Sequence, residues 1–261
     1  MQRINLKPDD LDEQNRRFAQ RPLEQAVFLN SVPKSGSHLL RNILRMFVPV
    51  AQQYQDEFIQ HAILQQHIAA FKSRAPLLSW GHLFFSDASA ILTADCRKVL
   101  LVRDPYSWVL AKARFLLSDQ FTGDLDHLKT DPVTPEQLIN LVIFGIHRKN
   151  PGLHDSYMFN AVAWLGTGIH LVRYEELMAA LGALDRPEGE GYFDGLLNAC
   201  GLARPDDWKE RIRIGSDRRR SGTARENLSL RSSHLPEELN DFQRRLVDAA
   251  YPGLRPLLGY E

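Results

Sequence analysis

Cysteine and long apolar runs are scarce in this sequence. Its 261 residues include two cysteines, Cys96 and Cys200, which are too few for a disulfide framework and suit a reducing compartment. No apolar stretch approaches the roughly 20 residues that span a bilayer. Residues 1–21 also lack the apolar segment of a signal peptide. We therefore expect a cytoplasmic protein with no stable membrane insertion.

Net charge is also absent. The 32 Lys and Arg residues equal the 32 Asp and Glu residues in number, so the whole molecule has no net attraction for nucleic acid or an anionic membrane. The stretch 211–225 is rich in arginine, but no aromatic residues are interleaved with it, which argues against a nucleic-acid site. We expect no nucleic-acid partner, and any anion site must be local.

Short apolar segments that end in polar residues alternate with segments of helical periodicity. Strands are predicted at 26–32, 77–83, 98–102 and 169–172. Helices are predicted after residue 37 and at 56–73, 105–117, 135–146, 156–165, 175–184, 192–200 and 236–250. This alternation predicts an α/β fold, a three-layer sandwich in which helices flank a central, mainly parallel sheet. The length fits one domain over 1–261, with a polar lead-in at 1–25 and a basic, lid-like segment at 211–231.

The segment 27–37 is the most informative part of the chain. An apolar run ends in the turn Pro33-Lys34-Ser35-Gly36-Ser37, and a helical pattern follows at once. The backbone N–H groups at the start of such a helix bind phosphate, and Lys34 adds a positive charge. The turn is not a Walker A loop, because the Gly-Lys-Ser order and the earlier glycine are both missing. We predict an anion-binding loop here.

Three further segments place functional side chain types at predicted strand ends. They are Gly81-His82-Leu83, Leu100 to Pro105 with Arg103, and Leu171 to Leu177 with Tyr174. Ligands of parallel α/β sheets bind outside the carboxyl ends of the strands. We therefore expect the loop at 33–37, His82 and Arg103 to lie at one edge of the sheet.

These four segments, in this order, resemble the motifs of sulfotransferases that use 3′-phosphoadenosine 5′-phosphosulfate (PAPS). The loop resembles their 5′-phosphosulfate loop, Gly81-His82-Leu83 their catalytic-histidine strand end, and the segment with Arg103 their 3′-phosphate strand and turn. The resemblance implies a P-loop-like sulfotransferase fold in a divergent, bacterial-type member. It also implies transfer of the sulfuryl group from PAPS to a hydroxyl acceptor, an EC 2.8.2 type of reaction that needs no metal.

The resemblance also implies a role for individual residues. His82 would be the catalytic base and Lys34 the catalytic cation, with His38 as a rival base. Arg103 would bind the 3′-phosphate, and the basic segment would close over the same phosphate. The full set of implied donor contacts is Pro33, Lys34, Ser35, Gly36, Ser37, His38, Arg103, Ser107, Tyr174, Arg220, Ser221 and Gly222.

Several positions depart from the family pattern. A serine that binds the 3′-phosphate is replaced by Ala111, and Ser107 and Lys112 are the candidates to substitute for it. The adenine-stacking tryptophan is replaced by Leu39, and a lysine two residues before the catalytic histidine is replaced by Trp80.

Two other classes of function stay open from the sequence. A P-loop kinase-like phosphotransferase would need a Gly-Lys-Ser/Thr loop, which is missing, and a magnesium-binding acid, for which Asp104 is a poor candidate. A non-catalytic nucleotide-binding regulatory protein is compatible with the departures. The acceptor is expected to be a small-molecule, glycan or lipid hydroxyl bound by residues of 54–75, 118–160 and the C-terminal helix, in a monomer or homodimer. His61 and His67 are expected to face solvent.

Overall fold

The computed structural model describes residues 9–55, 59–119, 121–130, 133–220 and 235–261, together with the backbone of residues 3–4. Its strands are β1 (Arg3–Ile4), β2 (Val27–Ser31), β3 (Ile59–Gln60), β4 (Leu78–His82), β5 (Arg97–Val102), β6 (Phe121–Thr122) and β7 (His170–Arg173). Its α-helices are α1 (Leu11–Asn15), α2 (Ser37–Arg45), α3 (Asp87–Leu92), α4 (Pro105–Leu116), α5 (Pro135–Phe144), α6 (Leu153–Asn160), α7 (Tyr174–Gly182), α8 (Pro187–Ala199), α9 (Trp208–Ser216), α10 (Asp241–Ala250) and α11 (Leu254–Leu257). Short 3₁₀ helices span Val50–Gln52, His61–Phe71, Asp126–Lys129, Val162–Trp164 and Arg218–Arg220.

A five-stranded parallel sheet forms the centre of the fold. Its strand order is β3-β4-β2-β5-β7, so the predicted parallel sheet is confirmed. Strand β2 pairs with β4 on one side and β5 on the other, which places Asn30 beside both Gly81 and Leu100. The carboxyl ends of these strands therefore lie side by side. Strands β1 and β6 form a separate antiparallel pair.

Helices cover both faces of the sheet. Every residue of β2 is buried, as expected for a strand that is covered on both sides. On one face, Phe28 and Leu100 pack in a core that includes residues of α4, α5 and α6. On the other, Val27 and Leu29 pack in a core that includes residues of α2, α8 and α9. The molecule is thus the predicted three-layer α/β sandwich. Within the described residues, no helix is long and apolar enough to cross a membrane.

Some predicted helix boundaries are wrong. The segment 56–73 contains strand β3 and a 3₁₀ helix whose backbone departs from helical angles at His67. Helix α8 starts at Pro187, because proline suits the first turn of a helix, so the predicted break at 185–191 ends earlier. Helix α10 starts at Asp241, where the Asn240 side chain accepts a hydrogen bond from the Gln243 N–H.

The basic segment at 211–231 is in part a core helix. Residues 211–216 belong to α9, and Arg211 is 2% exposed. Its guanidinium donates to the Asp207 carboxylate and to the backbone oxygens of Ala19 and Met46. This part of the predicted lid therefore fastens α9 to α2 and to the N-terminal segment. Residues 221–231 lie outside the described residues, so a lid there stays a prediction.

Candidate active site

The loop between β2 and α2 leaves the helix N-terminus open. Lys34 has φ 70° and Gly36 has φ 99°, and a Cβ on Gly36 would lie 2.7 Å from the Tyr174 ring. A residue other than glycine would therefore be strained and would also clash. Gly36 is the N-cap of α2 and provides no side-chain cap. The first N–H groups of α2 thus keep their capacity to bind an anion.

Ser35 contributes differently from the expectation for the loop. Its backbone N–H donates to the Val32 oxygen at 3.2 Å, so this N–H is already used within the turn. Its hydroxyl is buried, and among the described residues it has no hydrogen-bond partner. A buried hydroxyl without a partner costs free energy, and a ligand in the loop would satisfy it. Ser35 therefore presents a side-chain donor to the site.

The Lys34 ammonium lies against an aromatic ring. Its Nζ is 2.9 Å from the centroid of the Phe115 ring. Burial, and next the charge of Lys112, lower the pKa of Lys34 to about 7. No carboxylate in the described part of the chain counters this shift. The site thus holds a lysine whose protonation an incoming anion would favour.

His82 ends β4 and faces the end of β2. Its Nδ1 lies 2.9 Å from the Ser31 carbonyl oxygen and 3.0 Å from the Ser31 hydroxyl. A carbonyl oxygen only accepts, so Nδ1 carries the proton and Nε2 of the neutral ring carries the lone pair. The Ser31 hydroxyl is in turn 2.7 Å from that of Ser37 in the first turn of α2. Burial lowers the pKa of His82 to about 4, so the imidazole is neutral near pH 7.

A second neutral imidazole, that of His38, lies in the first turn of α2. Its ring contacts Trp80 edge to face, with 4.8 Å between centroids. Burial lowers the pKa of His38 to about 3, and the charges of Lys34 and Arg41 add to this effect. The Arg41 guanidinium also lies against Trp80, 4.6 Å from the ring centroid. Trp80 thus contacts both His38 and Arg41.

Arg103 follows β5 and is held by its neighbours. Its guanidinium lies 4.5 Å from the Tyr174 ring centroid, and its Nε donates to the Ser107 hydroxyl at 2.9 Å. The Tyr157 hydroxyl donates to the Arg103 carbonyl oxygen at 2.6 Å. Because Tyr174 also contacts Gly36, a continuous surface runs from the loop to Arg103.

Glu175 stabilises the residues around Arg103 through hydrogen bonds. Its carboxylate accepts the Ser107 hydroxyl at 3.0 Å, the Asp104 N–H at 3.1 Å and the Tyr260 hydroxyl at 2.8 Å. Ser107 therefore accepts from Arg103 and donates to Glu175, which makes it a residue that orients Arg103. The sequence analysis did not identify Glu175, although it directly follows Tyr174 at the end of a predicted strand.

Three of the implied donor residues are not brought to the loop by any described contact. Arg220 forms ion pairs with Asp10 and Asp217. Ser221 and Gly222 lie outside the described residues. The expectation that His67 faces solvent is wrong, since His67 is 7% exposed and lies 2.7 Å from the Tyr54 hydroxyl. No group of three or more metal-ligating side chains is found among the described residues.

The structure was compared with known proteins. It is similar to the crystal structure of mouse sulfotransferase SULT7A1 complexed with PAP, with 13% sequence identity and a TM-score of 0.56. The similarity covers 94% of this chain and 87% of the mouse chain. No family model matches the sequence, and no curated protein matches it. The chain therefore has the α/β fold of a sulfotransferase, as predicted, at a sequence identity that establishes the fold alone.

Proposed function

We propose that the protein is a sulfotransferase that moves the sulfuryl group of PAPS to a hydroxyl acceptor. The observation that carries this proposal is the arrangement at the carboxyl edge of β2, β4 and β5. These adjacent strands are followed by an uncapped helix N-terminus, Lys34, a neutral His82 and Arg103 stacked on Tyr174. The fold of a PAP-bound sulfotransferase supports it.

The residues have complementary roles in this proposal. Arg103 binds the 3′-phosphate with its planar guanidinium. The start of α2, Ser35 and Lys34 bind the 5′-phosphosulfate. The acceptor oxygen attacks sulfur, and the bond from sulfur to the phosphate oxygen breaks, leaving its electron pair on that oxygen. Nε2 of His82 takes the acceptor proton, and Lys34 stabilises the charge that develops on the leaving phosphate. The products are a sulfate ester and 3′-phosphoadenosine 5′-phosphate (PAP).

The acceptor would approach His82 from a partly aromatic surface. Phe84 lies two residues after His82, stacked on His61 at 6.2 Å between centroids. Phe159, which is 43% exposed, lies 5.5 Å from Phe84. These rings suit the apolar part of a small-molecule, glycan or lipid alcohol.

The first test of this function is titration with PAP and with adenosine 5′-monophosphate, followed by transfer of labelled sulfate from PAPS to candidate alcohols. We expect PAP to bind at least about tenfold more tightly, since Arg103 adds a charge-assisted contact to the 3′-phosphate. Lys34→Met should abolish transfer and weaken PAP binding.

Arg103→Met should bring the affinities for the two nucleotides together, whereas Arg204→Met, at an exposed ion pair away from the loop, serves as the control. Equal affinity of the unmodified protein for both nucleotides, or the absence of PAP binding, would contradict the proposal. Binding of PAP without transfer to any alcohol would instead favour a non-catalytic nucleotide-binding protein.

A further inference from the structure

One face of helix α4 lies along the loop. Trp108, Lys112 and Phe115 occupy positions i, i+4 and i+7 of this helix, which share one side. The indole Nε1 of Trp108 donates to the Pro33 oxygen at 2.6 Å, and the Phe115 ring lies against the Lys34 ammonium. Lys112 is located between these two contacts, so it lies beside the Lys34 half of the loop.

Lys112 is a buried lysine whose ammonium group contacts a carbonyl oxygen and an aromatic ring. Its side chain is 5% exposed, its Nζ donates to the Pro151 oxygen at 2.7 Å and lies 4.8 Å from the Trp108 ring centroid. The ion pairs found among the described residues do not include Lys112, and burial lowers its pKa to about 7. One carbonyl oxygen uses one of its three N–H donors. Burial of an ammonium group with one carbonyl acceptor costs free energy.

Lys112 and Lys34 form a pair of like charges. The Lys112 charge contributes to the lowered pKa of Lys34, so the two ammonium groups repel each other. Repulsion between two buried cations is relieved when an anion binds next to both. The pair therefore indicates that a negatively charged ligand binds at this end of the loop. Two lysines suit a ligand that carries more negative charge than one ammonium group neutralises.

Resting on the proposed function, we propose that Lys112 binds the sulfuryl group of the donor as a second ammonium beside Lys34. The 3′-phosphate is the less suitable partner for Lys112, because Arg103, which binds that phosphate in the proposed function, contacts the loop through Tyr174 and Gly36. Lys112 lies next to the loop through Trp108 and Lys34 instead.

The test compares PAPS with PAP, because these ligands differ only in the sulfuryl group. Both are titrated by calorimetry, without acceptor, into the unmodified protein and into Lys112→Met, whose unbranched side chain keeps the packing on Trp108. We expect the methionine variant to bind PAPS at least about tenfold more weakly and PAP within about twofold of the unmodified protein. Lys112→Arg, which keeps the charge, should retain most of the PAPS affinity.

Lys129→Met is the matched control. Lys129 is also a lysine of low exposure that lies over an aromatic ring, that of Phe121, but it is paired with Asp126. Its replacement should leave the ratio of the two affinities unchanged. Thermal unfolding checks that each variant is folded, and Lys112→Gln takes the place of the methionine variant should that one unfold.

The outcomes separate this inference from the function on which it rests. If the unmodified protein binds PAP and PAPS but the Lys112 variants change neither affinity, or change both equally, the role of Lys112 is overturned and the proposed function stands. If the unmodified protein binds neither ligand, the proposed function is overturned and the role of Lys112 with it. A selective loss of PAPS affinity supports the inference.

Discussion

At the scale of residues, burial controls the chemistry of the two histidines near the loop. Both His38 and His82 have a strongly lowered pKa, so both are neutral at pH 7. They differ in the hydrogen bonds that fix them, since only His82 has its Nδ1 proton directed to a backbone carbonyl oxygen. This bond presents Nε2 as the basic atom. We therefore propose His82, and not His38, as the proton acceptor.

We expect His82→Asn to separate catalysis from binding. The asparagine amide can still donate to the Ser31 oxygen, but it provides no base at the position of Nε2. The turnover number should fall by about 100-fold or more, while PAP affinity stays within about twofold, because His82 neutralises no phosphate in the proposed site. Steady-state kinetics and calorimetry measure the two quantities. His170→Asn, at an exposed histidine that begins β7, is the control, and an unchanged turnover number for His82→Asn would rule out the base.

Residues that directly follow strands could be located from the sequence, whereas those on a helix face could not. Lys34, His82 and Arg103 each come after an apolar run, and the structure has them at neighbouring strand ends. The sequence predicted Lys112 as a substitute for the 3′-phosphate serine, but its place beside Lys34 depends on how α4 rotates against the loop. That rotation is determined by tertiary packing of Trp108 and Phe115, which no local pattern encodes.

At the scale of elements, indole groups and one amide fix the strand ends. Trp108 donates to the Pro33 oxygen after β2, and Trp164 donates to the Leu83 oxygen after β4 at 3.0 Å. The Asn30 side chain of β2 donates to the Leu83 oxygen at 3.1 Å and accepts the Leu83 N–H at 2.8 Å. These bonds satisfy backbone groups where the sheet ladder stops, and they hold the loop and His82 at a constant separation.

We expect Trp108→Phe and Trp164→Phe to destabilise the fold and to differ in ligand binding. Trp164→Phe should cost less stability, because the Leu83 oxygen keeps its hydrogen bond from Asn30. Each removes one buried N–H donor from a backbone oxygen, at a cost of about 1–3 kcal/mol. Only Trp108 holds the anion-binding loop, so only its replacement should weaken PAP binding, by about tenfold. Urea unfolding and PAP titration test this. Unaltered PAP affinity in Trp108→Phe would show that the loop keeps its shape without this bond.

The elements themselves were predicted unevenly, for physical reasons. The central strands and the start of the helix predicted at 135–146 carry strong local signals and are confirmed. Helix α9 was missed, because its arginines suggested an exposed basic segment. Arg211 is nevertheless buried, since the Asp207 carboxylate and backbone oxygens compensate its charge. Such compensation depends on residues far away in the sequence.

At the scale of the whole molecule, a neutral protein concentrates uncompensated positive charge in one place. Lys34 and Lys112 both have a pKa lowered from 10.5 to about 7. Between these values the unfolded chain binds protons that the folded chain does not, so folding is favoured as the pH rises. The site therefore reduces the stability of the ligand-free protein below pH 7, and an anion offsets this cost.

We expect the free energy of unfolding to increase by about 1 kcal/mol or more between pH 7 and about 8.5. Above this window, Cys96 and Cys200 act in the opposite direction, because burial raises the pKa of both thiols. Urea unfolding at the two pH values measures the change. Lys112→Met should reduce this increase without abolishing it, because burial still lowers the pKa of Lys34. Lys129→Met should leave the increase unchanged, and saturating PAP should reduce it in the unmodified protein. A stability that falls across this window would contradict the lowered lysine pKa values.

The contact between Gly36 and the ring of Tyr174 has a consequence for donor choice. The same ring also stacks with the Arg103 guanidinium, so it keeps a constant distance between the loop and Arg103. A larger side chain at position 36 would push the Tyr174 ring outward and increase this distance. In the proposed function, the donor is therefore selected by length as well as by charge.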